Sequence, residues 1–283
     1  MNKRNFFLER FISASGAVFL VRKMMTRGKR FVLVFHGVST QHYKDVPTDI
    51  QPYLDQQDLE YVLRWIGKRF AFLSPQDFFE SDKPGVLVTF DDGLANNHDV
   101  ALPILKQLGI PAVFFVCTQH VIDPKNWLHY FRKMAKRQWG DRAQKDPVAA
   151  ECYDGLSPEK LRACVSSGLV TVGSHTVSHP VLADLSEAEL WHEVAESKAF
   201  LEKNTAQPVD FFAFPAGVYD RHVTETVRKA GYRAAFAEDS KELGLPAFEI
   251  PRIGIYSADP GYLSLKLSGL YKRPITKRYF NSI

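Results

Sequence analysis

The chain has 283 residues, is 45% hydrophobic and 24% charged, and carries a formal net charge of +4. This balance supplies a substantial core and excludes global disorder. No nucleic-acid-binding module is recognisable, so no nucleic-acid partner is expected.

The first 30 residues form a basic segment. Lys3, Arg4, Arg10, Arg22, Lys23, Arg27, Lys29 and Arg30 face only Glu9. The uncharged run from Ile12 to Val21 is too short to span a bilayer, and no small-x-small cleavage site follows it. Phe7, Leu8, Phe11, Ile12, Val18 and Phe19 recur at helical spacing, which predicts an amphipathic helix. Such a helix docks on the folded domain or lies on a membrane surface; a secretory signal is the third reading. The far end, 266–283, is a second basic tail, with Lys266, Lys272, Arg273, Lys277 and Arg278. Basic ends serve as solvated tails or draw the chain to an anionic surface, such as lipid headgroups or a phosphate-bearing substrate.

Between the ends, 31–265 reads as one catalytic domain. The runs at 31–35, 86–90, 112–117, 170–174 and 211–214 are short and rich in Val and Phe, as buried parallel strands are; 234–237 and 252–256 are weaker candidates. Helices are expected near 57–68, 97–108, 158–168, 186–203 and 221–230, with Asp58, Ser157 and Asp220 as N-caps and Gly109 and Gly231 as terminating glycines. Strand alternating with helix predicts an α/β fold with a parallel sheet, open or closed into a barrel. Residues 118–156 break the rhythm and read as a helical insertion, either a lid over the site or an excursion packed on the barrel. Cys117, Cys152 and Cys164 are too few for a disulfide framework and lack metal-ligand spacing, which fits a reducing compartment.

Three motifs fall at strand ends: "TFDDG" (Thr89–Gly93), "GSHTVSHP" with His175 and His179, and "FAFPAG" with Pro215, Ala216 and Gly217. In parallel α/β folds the carboxyl ends of the strands share one face, where active sites sit. Two histidines at i and i+4 point the same way if the residues between them are helical. With one carboxylate they make a three-ligand site that leaves positions open, as in catalytic zinc centres. One of the paired aspartates can bind the cation and leave its neighbour as a base. The plainer readings are a structural histidine pair, an Asp-Asp-Gly turn and an ordinary Pro-x-Gly turn.

Taken together, these residues resemble the polysaccharide deacetylases, carbohydrate esterase family 4, also called NodB-homology domains. "TFDDG" is similar to that family's first motif and "SHTVSH" to its second, and the resemblance covers roughly residues 31–256. It implies a distorted (β/α) barrel. It implies Asp91 as general base and Asp92, His175 and His179 as ligands of a divalent metal. It further implies hydrolytic removal of an N-acyl group, usually acetyl, from an amino sugar. The third-motif position that supplies an oxyanion N–H corresponds to Ala216, between Pro215 and Gly217. Asp-His-His ligation suits zinc, and also cobalt, nickel or iron.

The chain departs from the family pattern in two places. Ala213 stands where the third motif has an arginine, and "IPRIGIY" replaces the last motif's Leu-His, the usual general acid. It looks like a branch with "FAYPxG" and an upstream "YHxI"-like strand, here "FHGV". Arg252 is then the candidate to support Asp91, since a guanidinium suits a bidentate carboxylate contact. His36 is the candidate acid or substrate-binding group. The expected partner is an N-acetylated glycan or a lipid- or nucleotide-linked amino sugar. The expected location is cytoplasmic, with peripheral contact at the inner membrane face through the basic ends. Other readings are hydrolysis of a formamide or cyclic imide on the same metal site, and a sugar-binding domain without turnover.

Overall fold

Arg30–Phe35 forms strand β1, with all six residues buried. A strand covered on both faces has to be apolar throughout, and this is why it reads as an unbroken Val-Leu-Phe run. The structure, a computed structural model, describes residues 30–43, 46, 51–241 and 243–268. The amphipathic helix expected before Arg30, and the basic tail beyond Ser268, lie outside the described residues.

After β1 come β2 (Val38–Ser39), β3 (Leu54–Asp55), α1 (Gln56–Gly67), α2 (Pro75–Glu80) and β4 (Gly85–Phe90). Then follow α3 (97–108), β5 (Ala112–Val116), α4 (Thr118–Ile122), α5 (His129–Trp139), α6 (Pro147–Tyr153), α7 (Pro158–Ser166) and β6 (Val170–Ser174). The chain continues through α8 (187–205), β7 (Phe211–Ala213), α9 (Arg221–Lys229), β8 (Ala234–Ala237), β9 (Ile250–Pro251), β10 (Ile253–Gly254) and α10 (Pro260–Lys266). Among the described residues eight strands form one parallel sheet in the order β10-β1-β4-β5-β6-β7-β8-β9. β9 pairs with β8 through Phe236 and Ile250, and β10 pairs with β1 through Leu33 and Ile253. The five residues 250–254 therefore touch both edges and bring the sheet to a nearly closed (β/α) barrel. The single strand expected over 252–256 is instead two short strands flanking Arg252, because each half pairs with a different edge.

Side chains alternate between the barrel interior and the helix layer with the period of two that a strand imposes. Val32, Leu87, Val113, Phe211, Ala234 and Ile250 pack inside with Leu73 and Phe78, which close the amino-terminal end. Phe78 comes from α2, an element the sequence reading did not anticipate. Two residues further along each strand stand Val34, Thr89, Phe115, Ala213, Phe236 and Arg252. Two further still stand His36, Asp91, His175 and Glu238. The interior thus passes from apolar to polar toward the carboxyl ends. Leu33, Phe35, Val88, Phe90 and Phe114 face the other way and pack under the helices.

The α1 cap is Asp55, whose Oδ1 accepts the Asp58 N–H at 2.9 Å, so the expected cap Asp58 is displaced by three residues. Ser157 and Asp220 do cap α7 and α9, and Gly109 ends α3 in the left-handed conformation. The continuous helix expected over 186–203 is interrupted by a π-helical turn at His192–Glu196. A similar turn opens α3 at Asn97–Ala101.

Residues 118–156 are helical and carry a separate apolar cluster of Trp127, Leu128, Phe131, Ala135, Cys152 and Tyr153 around Leu94 and Cys117. His120 ties this cluster to the barrel. Its Nδ1–H donates to the Asp92 carbonyl at 3.2 Å, and its Nε2 accepts the Leu128 N–H at 3.1 Å. Burial, outweighing the carbonyl contact, pushes the imidazole down to about 4.

Two outcomes follow for stability. Asp55→Ala should cost ~1 kcal/mol in chemical denaturation, whereas Asp58→Ala should keep the cap. For His120 the unfolded chain binds the proton first as pH falls below about 6.5. The contribution is complete above that value and is lost on the way to about pH 4, on the order of 3 kcal/mol. A His120→Gln variant should show a flatter decline of melting temperature between pH 6.5 and 4.

Candidate active site

The carboxyl ends of the strands open into a cavity of about 720 Å³, lined among others by His36, Gln51, Asp91, Tyr130, His175, His179, Ala216 and Arg252. Asp91 follows the last residue of β4 and continues its inward alternation. In an extended chain Asp92 would face the opposite way. Instead Asp92 has φ 75° and Gly93 φ 69°, and this left-handed turn brings the second carboxylate to the same imidazoles. His175 Nε2 lies 3.8 Å from Asp91 Oδ2 and 3.8 Å from Asp92 Oδ1. A side chain at Gly93 would meet Val116 Cγ1 at 2.7 Å, so only glycine fits the turn.

The two carboxylates differ in what surrounds them. Arg252 grips Asp91 with both terminal nitrogens, Nη1 to Oδ1 at 2.6 Å and Nη2 to Oδ2 at 2.7 Å. Burial alone would raise Asp91, but the Arg252 charge, His175 and these hydrogen bonds hold it at about 2. Asp92 is also buried, and both its oxygens lack a hydrogen-bond partner. Burial and the charge of Asp91 raise it to about 6, against the pull of His36. The Tyr130 hydroxyl approaches Asp92 without reaching hydrogen-bond geometry. Arg252 thus occupies the role that the absent third-motif arginine leaves open at Ala213. Ala213 contributes its carbonyl, which accepts from His175 Nδ1 at 2.8 Å.

That hydrogen bond places the proton of His175 on Nδ1 and leaves the Nε2 lone pair facing Asp92. Burial lowers His175 to about 3 and also lowers His179, which favours the neutral imidazoles a cation needs. His179 Nε2 is 3.7 Å from Asp92 Oδ1. One ligand atom from each of Asp92, His175 and His179 lies within 4.8 Å of the others. Two unpartnered buried carboxylate oxygens beside two neutral imidazoles fit a divalent cation by their chemistry. The residues between the histidines are not helical, contrary to the condition set by the sequence reading. Thr176 has φ 74° and His179 φ 63°, and these two turns aim the second imidazole inward.

The remaining candidates lie around the same cavity. His36 lines it, with a buried Nδ1 that has no partner and a ring 6.0 Å from that of Tyr256. Ala216 is at its exposed rim with φ 52°. Gly217 has φ 64°, and a Cβ there would meet Glu238 at 3.0 Å. Pro215 is buried beneath the rim and its carbonyl accepts the Val218 N–H. Sequence reasoning missed Gln51, His129 and Tyr130, which also line the cavity. The Tyr130 ring lies tilted by 43° against that of His179, with the centroids 4.8 Å apart. No spacing signal marks these three, because they arrive from segments outside the strand ends.

The model of the family described as polysaccharide deacetylase matches residues 80–235. The chain is 24% identical over 240 residues to the poly-beta-1,6-N-acetyl-D-glucosamine N-deacetylase of Staphylococcus aureus (strain COL), covering 79% of this chain and 74% of the relative. In fold it is similar to the Streptococcus pyogenes deacetylase PplD, solved with acetate, at TM-score 0.62 and 18% identity over 85% of this chain and 98% of that one. It is likewise similar to a de-N-acetylase from Aggregatibacter actinomycetemcomitans, at TM-score 0.64 and 18% identity over 85% and 99%.

The unpartnered Asp92 oxygens generate an outcome that separates function from stability. Asp92→Asn, which tolerates the left-handed backbone, should raise the melting temperature of the metal-free protein. It should also lower zinc affinity by more than ~100-fold in isothermal titration, beyond the loss typical of an outer-shell change. Unchanged zinc affinity would count against Asp92 as a ligand.

Proposed function

The chain belongs to the polysaccharide deacetylase family, and we propose that it hydrolyses an N-acetyl group of an amino sugar in a polysaccharide or glycoconjugate, with a divalent cation held by Asp92, His175 and His179. One observation carries this reading: an ionised carboxylate, Asp91, and a separate Asp-His-His donor set meet in one cavity. A binding module would need the donors but not a second carboxylate kept charged beside them.

The chemistry a divalent cation would supply there is Lewis acidity, toward an amide carbonyl and toward water. The chain's own groups do the rest. Arg252 keeps Asp91 ionised and fixes both of its oxygens, so the carboxylate is oriented before substrate arrives. Asp91 accepts the proton as the water oxygen bonds to the acetyl carbon. The Ala216 N–H, on the rim turn with φ 52°, is our assignment for the donor to the oxygen on which negative charge grows. The C–N bond then breaks, releasing acetate and the free amine. His36, inside the same cavity with no competing partner at Nδ1, is our assignment for the group that returns a proton to the leaving nitrogen. A polymer of N-acetylglucosamine, the substrate named for the Staphylococcus relative, is the first substrate to test.

Acetate release from N-acetylglucosamine oligomers should be measurable with zinc-loaded protein. Asp91→Asn should lower kcat by ~10²- to 10⁴-fold while zinc affinity is retained. Full activity in that variant would remove Asp91 as the base. Wild-type protein that binds zinc and glycan but releases no acid would instead mark a binding module. Release of another acid, such as formate from a formamide, would redirect the assignment to a different amide.

A further inference from the structure

The loop that carries the second histidine has a support the mechanism does not use. It leaves β6 at Ser174 and contains two left-handed non-glycine residues, Thr176 and His179. Such residues are unfavourable alone and persist only where their surroundings over-determine them. The Thr118 and Gln119 N–H groups donate to the Thr176 and Val177 carbonyls at 3.1 and 2.9 Å, and one buried side chain, Glu193, takes up the loop's own donors. Its Oε2 accepts the Val177 N–H at 2.8 Å and the Ser178 N–H at 2.9 Å, and its Oε1 accepts the Ser178 hydroxyl at 2.6 Å. All three donors come from Val177 and Ser178, within the five residues between β6 and Pro180.

Glu193 is buried, and no cation pairs with it among the described residues. A buried carboxylate without a counter-charge is costly unless hydrogen bonds satisfy it. The three it makes exist only when the loop takes this one shape. Satisfying the carboxylate and holding the strained loop are therefore the same event.

The helix is adapted to deliver this group. Glu193 sits in the π-helical turn His192–Glu196 of α8. There the Val194 carbonyl accepts the Tyr232 hydroxyl at 2.9 Å and the Ser197 hydroxyl at 3.0 Å. Four residues after Glu193, Ser197 Oγ lies 2.7 Å from Ser174 Oγ, which in turn accepts the Thr176 N–H at 3.2 Å. The helix thus grips the loop at its root and at its middle. The Thr176 hydroxyl then accepts the His179 N–H at 2.9 Å and carries the constraint to the ligand.

We propose that Glu193, on its π-helical turn, is a positioning residue for the metal centre: it clamps the Thr176–His179 loop so that the His179 imidazole faces Asp92 and His175. The proposal rests on the reading of those three residues as ligands. It assigns Glu193 no contact with substrate or cation.

The test uses the full chain, prepared metal-free and titrated with zinc against a competing chelator. Glu193→Ala should lower zinc affinity by ~10- to 100-fold, the range for groups that orient a ligand. It should also alter the visible spectrum of the cobalt-substituted protein. Glu193→Gln keeps an oxygen for the two N–H groups and can donate to the Ser178 oxygen, so it should recover most of the affinity. Should Glu193→Ala fail to fold, Ser178→Ala removes one of the three donors and should show the same change in smaller measure. His179→Ala is the reference. If it loses zinc while Glu193→Ala and Ser178→Ala bind as wild type, the clamp is wrong. A drop in melting temperature with unchanged zinc affinity is likewise a merely structural result and overturns the proposal. If His179→Ala itself binds zinc as wild type, the ligand assignment fails before the clamp does.

Discussion

The ion pair between Arg252 and Asp91 joins the closure of the barrel to its chemistry. Arg252 lies between β9 and β10, in the short segment that touches both sheet edges. Asp91 lies just beyond β4, in the sheet interior. A bidentate contact across that distance requires the seam to be drawn together, because the guanidinium fork tolerates little displacement. Both groups are almost fully buried. Separating such a pair leaves an uncompensated charge in a low-dielectric interior, at ~3–5 kcal/mol. The seam, the orientation of Asp91 and its ionised state therefore stand or fall together.

Around that pair the fold assigns different roles to two adjacent carboxylates. Asp91 has a counter-charge and hydrogen bonds for both oxygens. Asp92 has neither, and faces two neutral imidazoles instead. The difference comes from one backbone feature, the left-handed turn at Asp92 and Gly93, which brings consecutive carboxylates to the same imidazole, His175. Strain gathers in this region: Asp92, Thr176, His179 and Ala216 are four of the five non-glycine residues with positive φ among those described. Each would be unfavourable alone. In the histidine loop the strained residues are held by hydrogen bonds to Glu193 and the Thr176 hydroxyl.

Much of the scaffold was legible in the linear pattern. Buried parallel strands announce themselves as Val-Phe runs because neither face meets water, and Ser157 and Asp220 were readable as caps from their position before a helical stretch. The errors have physical causes too. The cap of α1 was expected at Asp58 and lies at Asp55; both precede the apolar stripe, and only backbone conformation tells a cap from a first-turn residue. The helix over 187–205 was expected to be regular, since a π-helical turn leaves no mark in hydrophobic spacing. Helical residues were one way for the histidine pair to converge; the loop achieves the same convergence with left-handed residues. Tyr130 and Gln51 gave no signal, because their place at the cavity depends on how distant segments pack.

By itself, then, the chain's sequence determined the family, the strands and the polar residues that end them. These are local properties: the period-two alternation of a buried strand, the residue types that cations and protons require, and motifs a few residues long. The sequence also offered Arg252 as a partner for Asp91, because a guanidinium suits a carboxylate; the tertiary structure decided which such pairings form. That Arg252 rather than a third-motif arginine grips Asp91, that Ala213 orients His175 through its carbonyl, and that Glu193 holds the loop of His179 all depend on hydrogen-bond distances of about 3 Å. These contacts join residues 15 to 161 positions apart. Bonds of that range are set by barrel closure and helix packing, and no local pattern encodes them.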